Sequence, residues 1–206
     1  MKALFRIVSC IIAICVFLAA FFAQFFRVVF DILGVSTDAS ESIYDLIKLL
    51  KPDGGSSLIN GAELWEKIKA SSEVLSPIIP HLVCFLVFFG IALLIALAII
   101  IVNATKTMQK TTTFLGLGGF VSTIAMIISF NHAAAPVISG QLNIFRVLDL
   151  NFLLSLATSA VSFKIISITS AGTLMCIAFG AIAVWGICNI VIDMGDKPTK
   201  ERKKIK

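Results

Sequence analysis

PIIPHLVCFLVFFGIALLIALAIIIV, residues 77–102, is the stretch on which the architecture turns. It lies within an uncharged run of 32 residues between Glu73 and Lys106. A helix rises 1.5 Å per residue, so about 20 apolar residues cross a bilayer core, and this run has length to spare. Ser76 suits an N-cap and Pro77 a first helical turn, where a missing N–H costs nothing. The reading is a transmembrane helix over roughly residues 77–102, and the rest of the chain is read relative to it.

Three further apolar runs accompany it. Residues 7–26 carry no charge and follow Lys2 and Arg6; a span over about 7–28 is expected. The run exceeds the 7–15 residues of a signal-peptide core, so it is read as a retained span. Phe17, Phe21 and Phe25 form one i+4 row with Phe22, Phe26 and Phe30 beside it, read as bulk for packing or lipid contact. Residues 111–145 are likewise uncharged, and a span over about 114–134 is expected, because Pro136 disfavours helix at the residue before it. The last uncharged run, 165–192, predicts a span over about 168–192.

Small residues mark where helices would approach closely. Gly116, Gly118 and Gly119 open the third span, and Gly172, Cys176 and Gly180 make a smooth row on the fourth. These six are the expected helix-packing positions. Asn189 is placed to hydrogen-bond across helices, and Trp185 lies where an interfacial aromatic belongs.

Composition agrees. The 206 residues are 58% hydrophobic and 14% charged, where a soluble chain carries about 25% charged residues. One membrane domain over residues 1–206 is expected. The net charge of +5 is unevenly spread: residues 193–206 hold six Lys/Arg against three acids, whereas the connection 31–76 is net acidic. No basic groove interleaved with stacking aromatics points to nucleic acid. The five cysteines, Cys10, Cys15, Cys84, Cys176 and Cys188, all lie in apolar runs, which implies packing rather than a disulfide framework.

The two longer connections, 31–76 and 135–167, are expected to face outward, and both termini with the Lys106–Lys110 link to face the cytoplasm, since those inner segments hold ten of the 17 Lys/Arg. Asp38-Ala39-Ser40-Glu41 resembles a capping box, followed by Ile43, Leu46, Ile47 and Leu50 at helical spacing. Asn60-Gly61-Ala62-Glu63 repeats the logic before Leu64, Trp65, Ile68 and Leu75. Two short amphipathic helices on the bilayer surface or capping the bundle are the expectation, with Tyr44 and Trp65 as partner-binding anchors in the recognition alternative. Residues 150–163 are apolar but too short to cross, and read as an interfacial or re-entrant segment or, alternatively, an outward extension of the last helix. Asn103-Ala104-Thr105 matches a glycosylation sequon on the side assigned as cytoplasmic, where it would go unused. The basic tail, 193–206, sets orientation and attracts anionic lipid.

In its loop lengths the layout is similar to claudin-type tetraspan proteins, with a long first outer loop, a short inner link and a shorter second outer loop. The family's paired loop cysteines and tryptophan-led motif are absent here, and the first loop reads as helical rather than β.

Enzyme signatures are missing: no HExxH, no GxSxG, and no acid in mid-span. His81 and Cys84 are one turn apart, and His132 falls at a similar depth on the next span, which makes the three a weak candidate metal set without a carboxylate. No cofactor is expected. The fold class is thus an all-α, four-helix tetraspan bundle with short amphipathic helices in its outer loops. The function expected is that of a non-enzymatic subunit packing against lipid, other membrane proteins or its own copies. The alternative is a small oligomeric channel or transporter. The host would be a bacterial inner membrane or a eukaryotic plasma or ER membrane.

Overall fold

The computed structural model describes residues 2–32, 35–45, 66, 69–105, 109–142 and 161–195. Four helices are long and apolar enough to cross a membrane: α1 (Lys2–Phe22), α2 (Ile79–Ala104), α3 (Gln109–Ile138) and α4 (Ser170–Gly195). Three strands, β1 (Gln24–Ile32), β2 (Val35–Ser42) and β3 (Val161–Ile168), form an antiparallel sheet in the order β2-β1-β3. The chain is therefore mostly helical but not all-α. The sheet corrects that expectation.

The physical reason lies in β1. Its sequence QFFRVVFDI is aromatic and β-branched, which favours a pleated strand once partners exist. Helix α1 ends at Phe22 rather than near residue 28, and Phe25, Phe26 and Phe30 leave the expected helical rows for the strand. In β2 the capping-box reading of Asp38 fails because that carboxylate is engaged across strands. The Arg27 guanidinium donates to it in a fork, Nη2 to Oδ2 at 2.6 Å and Nε at 3.0 and 3.2 Å. Val29 pairs with Asp38 and Arg27 with Ser40, so the fork is a diagonal contact of the kind long side chains reach. The cap falls four residues later. Ser42 Oγ accepts the Asp45 N–H at 3.1 Å and donates to its carboxylate, and residues 43–45 are helical. Leu46, Ile47 and Leu50 of the first amphipathic segment, Leu64, Trp65 and Ile68 of the second, and residues 150–160 fall outside the described residues, whereas Ser72–Leu75 form a short helix. Residues 161–168, being β3, do not extend the last helix outward.

Boundaries differ from expectation at two prolines. Helix α2 starts at Ile79, with Ile78 accepting its first bond from Leu82 N–H at 3.0 Å, so Pro80 rather than Pro77 occupies the tolerant first turn. Helix α3 runs through Pro136 to Ile138. A helical proline forfeits one bond, but here it lies in the last turn. Ala133 and Val137 are buried with Ile78 and Leu142, against Leu75, Phe163 and Ile166, and that cluster holds the helix past the proline. Gly140, at φ 72, then ends it in the left-handed conformation that glycine adopts without strain.

The chain divides into two compact units. One comprises Met1–Leu18, Phe89–Ile124 and Leu174–Lys206; the other comprises Ala19–Phe88 and Ala125–Thr173. Within the first, Phe89, Ala92, Ala96 and Ile99 of α2 are buried at helical spacing, while Ile91, Leu94, Leu97 and Ile101 are exposed. A helix that is apolar on both its packed and its open face is what a lipid surround requires. Within the second, four phenylalanines fasten β1 to α2 and α3. Ring centroids lie 5.9 Å apart for Phe26–Phe85, 5.3 Å for Phe26–Phe130 and 5.3 Å for Phe85–Phe130, with Phe25 5.2 Å from Phe26.

Candidate functional site

In the first unit the four helices meet through a layer of polar and small side chains. Asn103, in the last turn of α2, is its centre. Its Nδ2 donates to Ile99 O at 2.8 Å, and its Oδ1 accepts from Thr112 Oγ1 of α3 at 3.2 Å. Its backbone carbonyl accepts from Arg6 Nη2 of α1 at 2.7 Å. Helix α3 reaches α4 where Thr113 faces Gly186, and α4 returns to α1 where Trp185 meets Phe5 edge-on at 5.6 Å. The four helices are thereby linked in a ring. Trp185 is half-buried in that ring contact. Buried side chains recur at this level: Ser9, Asn103, Thr112, Thr113 and Asn189. Among them Ser9 Oγ and Asn189 Nδ2 find no hydrogen-bond partner among the described residues, nor do Arg6 Nε and Gln109 Nε2. Such atoms cost about 1–3 kcal/mol each when buried unpaired.

Sequence reasoning flagged Asn189 alone and read Asn103 only as part of a sequon. The available signal was a polar residue near the same end of every apolar run.

Beside this layer a groove of about 360 Å³ opens between α1 and α2, lined by Arg6, Ile7, Cys10, Ile11, Asn103 and Ala104 together with Ala3.

The expected packing residues separate into two groups. Gly116 and Gly119 of α3 are buried against α4: a Cβ on Gly116 would lie 3.0 Å from Ala183 N, and one on Gly119 would lie 2.5–2.7 Å from Phe179 ring carbons. Gly118 instead faces Ile95 of α2 at an ordinary 3.5 Å. On α4, Gly180 sits under the Phe120 ring edge, with a Cβ there 3.2 Å away, and Cys176 is half-buried. Gly172, in the second unit, is buried against Ile168. At Gly116 and Gly119 bulky α4 side chains thus pack on α3 glycines, whereas the closer approach of Thr113 to Gly186 sets an α3 side chain on an α4 glycine.

In the second unit the sheet is locked by charge as well as by phenylalanines. Lys164 falls where the β1–β3 register shifts between Val29 and Phe30, and from that irregularity its ammonium reaches Asp31 at 2.7 Å and Ser36 at 3.2 Å. The Arg27 fork holds the exposed Asp38 carboxyl below the usual carboxylate range, chiefly through its hydrogen bonds. The Thr169 N–H donates to Phe25 O at 2.9 Å and its hydroxyl bonds Gln24 O, while Thr169 Oγ1 also accepts from Ala171 N–H. Thr169 is thus both the N-cap of α4 and its tie to β1.

The His81 and His132 rings lie side by side, centroids 5.5 Å apart, and both are exposed, as is Cys84. Among the described residues no group of three or more His, Cys, Asp or Glu side chains converges on a common point. Two imidazoles are brought together, but not a ligand set. Tyr44 is exposed and packs on Phe22 at 5.7 Å; Trp65 lies outside the described residues. No family model matches the chain, and neither does any curated protein or solved structure.

Proposed function

We propose that this chain is a non-enzymatic tetraspan membrane protein, an accessory or scaffolding subunit that binds other membrane proteins or copies of itself. The observation that carries the reading is the pairing of β1 with β3. The strand that follows α1 and the strand that precedes α4 belong to one sheet, while the start of α1, the end of α2 and the start of α3 meet at Asn103. Both facts are consistent with four crossings that leave the two termini on one side, and the Lys/Arg count supports a cytoplasmic place for that side. Outside the polar layer around Asn103 the α3–α4 seam is packed by apolar side chains on glycines, which suits a body built for packing. A small oligomeric pore is the second reading, favoured by the buried polar layer around Asn103, Thr112 and Asn189.

The test is purification in mild detergent from native membranes, with mass spectrometry and mass photometry on the intact particle. A stoichiometric foreign membrane protein supports the subunit reading. A homo-oligomer that conducts ions in liposomes overturns it in favour of the pore.

A further inference from the structure

We propose that the groove between α1 and α2 binds one anionic phospholipid, its phosphodiester on Arg6 and an acyl chain along Ile7, Cys10 and Ile11. The inference rests on the reading of the helices as membrane spans. Arg6 keeps its charge at any physiological pH and carries five N–H donors. Nη2 donates to the Asn103 carbonyl, and among the described residues Nε finds no partner and the guanidinium meets no carboxylate. A cation in that state beside a bilayer draws a phosphate oxygen, which matches the planar fork better than water does. Arg6 stands near the start of an apolar span, where headgroups lie, and the groove continues past it as an apolar wall. Charge at one end and hydrocarbon along the rest is the pattern of a two-part ligand. A soluble anion would use the first part only. Basic pockets between helices on the cytoplasmic side recognise anionic headgroups by this combination.

The experiment is native mass spectrometry of the full chain in detergent, offered phosphatidylglycerol and phosphatidylcholine at equal concentration. The expected result is one retained phosphatidylglycerol, favoured about fivefold, the effect of one basic residue at the membrane surface. Arg6→Gln abolishes the preference and Arg6→Lys keeps most of it. Ile7→Trp, a change at an exposed side chain, fills the groove and releases the lipid with Arg6 intact, so the test survives if Arg6→Gln fails to fold. Equal retention of the two lipids by the native chain overturns the proposal. So does an unchanged preference in folded Arg6→Gln. Thermal stabilisation by inorganic phosphate alone, matching that by the lipid, overturns the lipid as the source. Carbonate extraction of the same membranes separates the two levels: a chain that stays with the bilayer but shows no lipid preference loses only this site, whereas one that is extracted loses the spanning reading as well.

Discussion

Replacing Gly119 with alanine and replacing Gly90 with alanine change the same atoms in two helices, yet the structure assigns them opposite signs. At Gly90 a Cβ would meet nothing within 4 Å, so only the helix preference for alanine acts, a gain of about 0.5–1 kcal/mol. At Gly119 the same gain is opposed by three carbons of Phe179 at 2.5–2.7 Å, where ordinary contact begins at 3.4 Å. The Phe179 ring is fully buried, so it must retreat by most of an ångström or α3 and α4 must part. Overpacking of this kind costs about 1–3 kcal/mol, which leaves a net loss of up to about 2.5 kcal/mol once the helical gain is subtracted. Equilibrium unfolding in mixed micelles with a rising SDS fraction, followed by tryptophan fluorescence, measures both variants on one scale. Phe179→Leu in the Gly119→Ala background should restore part of the loss, giving a coupling energy of about 1 kcal/mol in the double-mutant cycle. If Gly119→Ala stabilises as Gly90→Ala does, or if the cycle shows no coupling, the close α3–α4 seam is wrong.

Gly180→Leu should likewise destabilise or disrupt assembly, because its Cβ already meets the Phe120 ring edge at 3.2 Å, while the exposed Leu174→Ala should change stability by less than about 0.5 kcal/mol. Asn103→Leu strands Thr112 Oγ1 and should cost about 1–3 kcal/mol in the same titration; Thr112→Val added to it should recover part of that loss. Phe26→Ala removes three ring contacts, to Phe25, Phe85 and Phe130, from the half-buried anchor of β1 and should cost somewhat less than the about 3–5 kcal/mol of a fully buried phenylalanine, with faster amide exchange in β1 and β2. The Asp38 carboxyl is lowered from 3.8 by Arg27, so its fork is fully present above that value and is lost as pH falls through the lowered one. Amide protection in β2 should hold down to about pH 4, decline below it, and show no such step in Asp38→Asn.

The four long apolar helices were legible because uncharged runs of helix-spanning length need no partner to be recognised. The sheet was not. Phe25 and Phe26 continue the apolar run of α1 without a break, so nothing local marks where helix yields to strand. In β2 the residues Asp38 to Glu41 carry genuine capping chemistry, and only Arg27 on the neighbouring strand diverts it. Pro136 was read by its local preference, which the buried Ala133 and Val137 override. For the seam, a small-residue row could be seen on α4, but which helix supplies the hollow and which the knob depends on rotation about each axis. Gly116 and Gly119 are the hollows, and Phe179 and Ile182 the knobs. The polar layer escaped because Ser9, Asn103, Thr112 and Asn189 are unremarkable singly and meaningful only once four helices align them.

The central place of β1 in the sheet has a consequence for biogenesis. Its two neighbours are made at very different times: β2 follows within a few residues, whereas the Thr169 tie to Gln24 spans 145 positions. At about 5–20 residues per second, a ribosome leaves the β1 edge open for on the order of ten seconds while α2 and α3 are synthesised. An apolar strand held open for so long is a hazard for wrong pairing. Only the arrival of β3 seals the sheet, so a nascent chain halted before residue 161 would present a strand edge that the finished protein conceals, by which quality control would recognise immaturity.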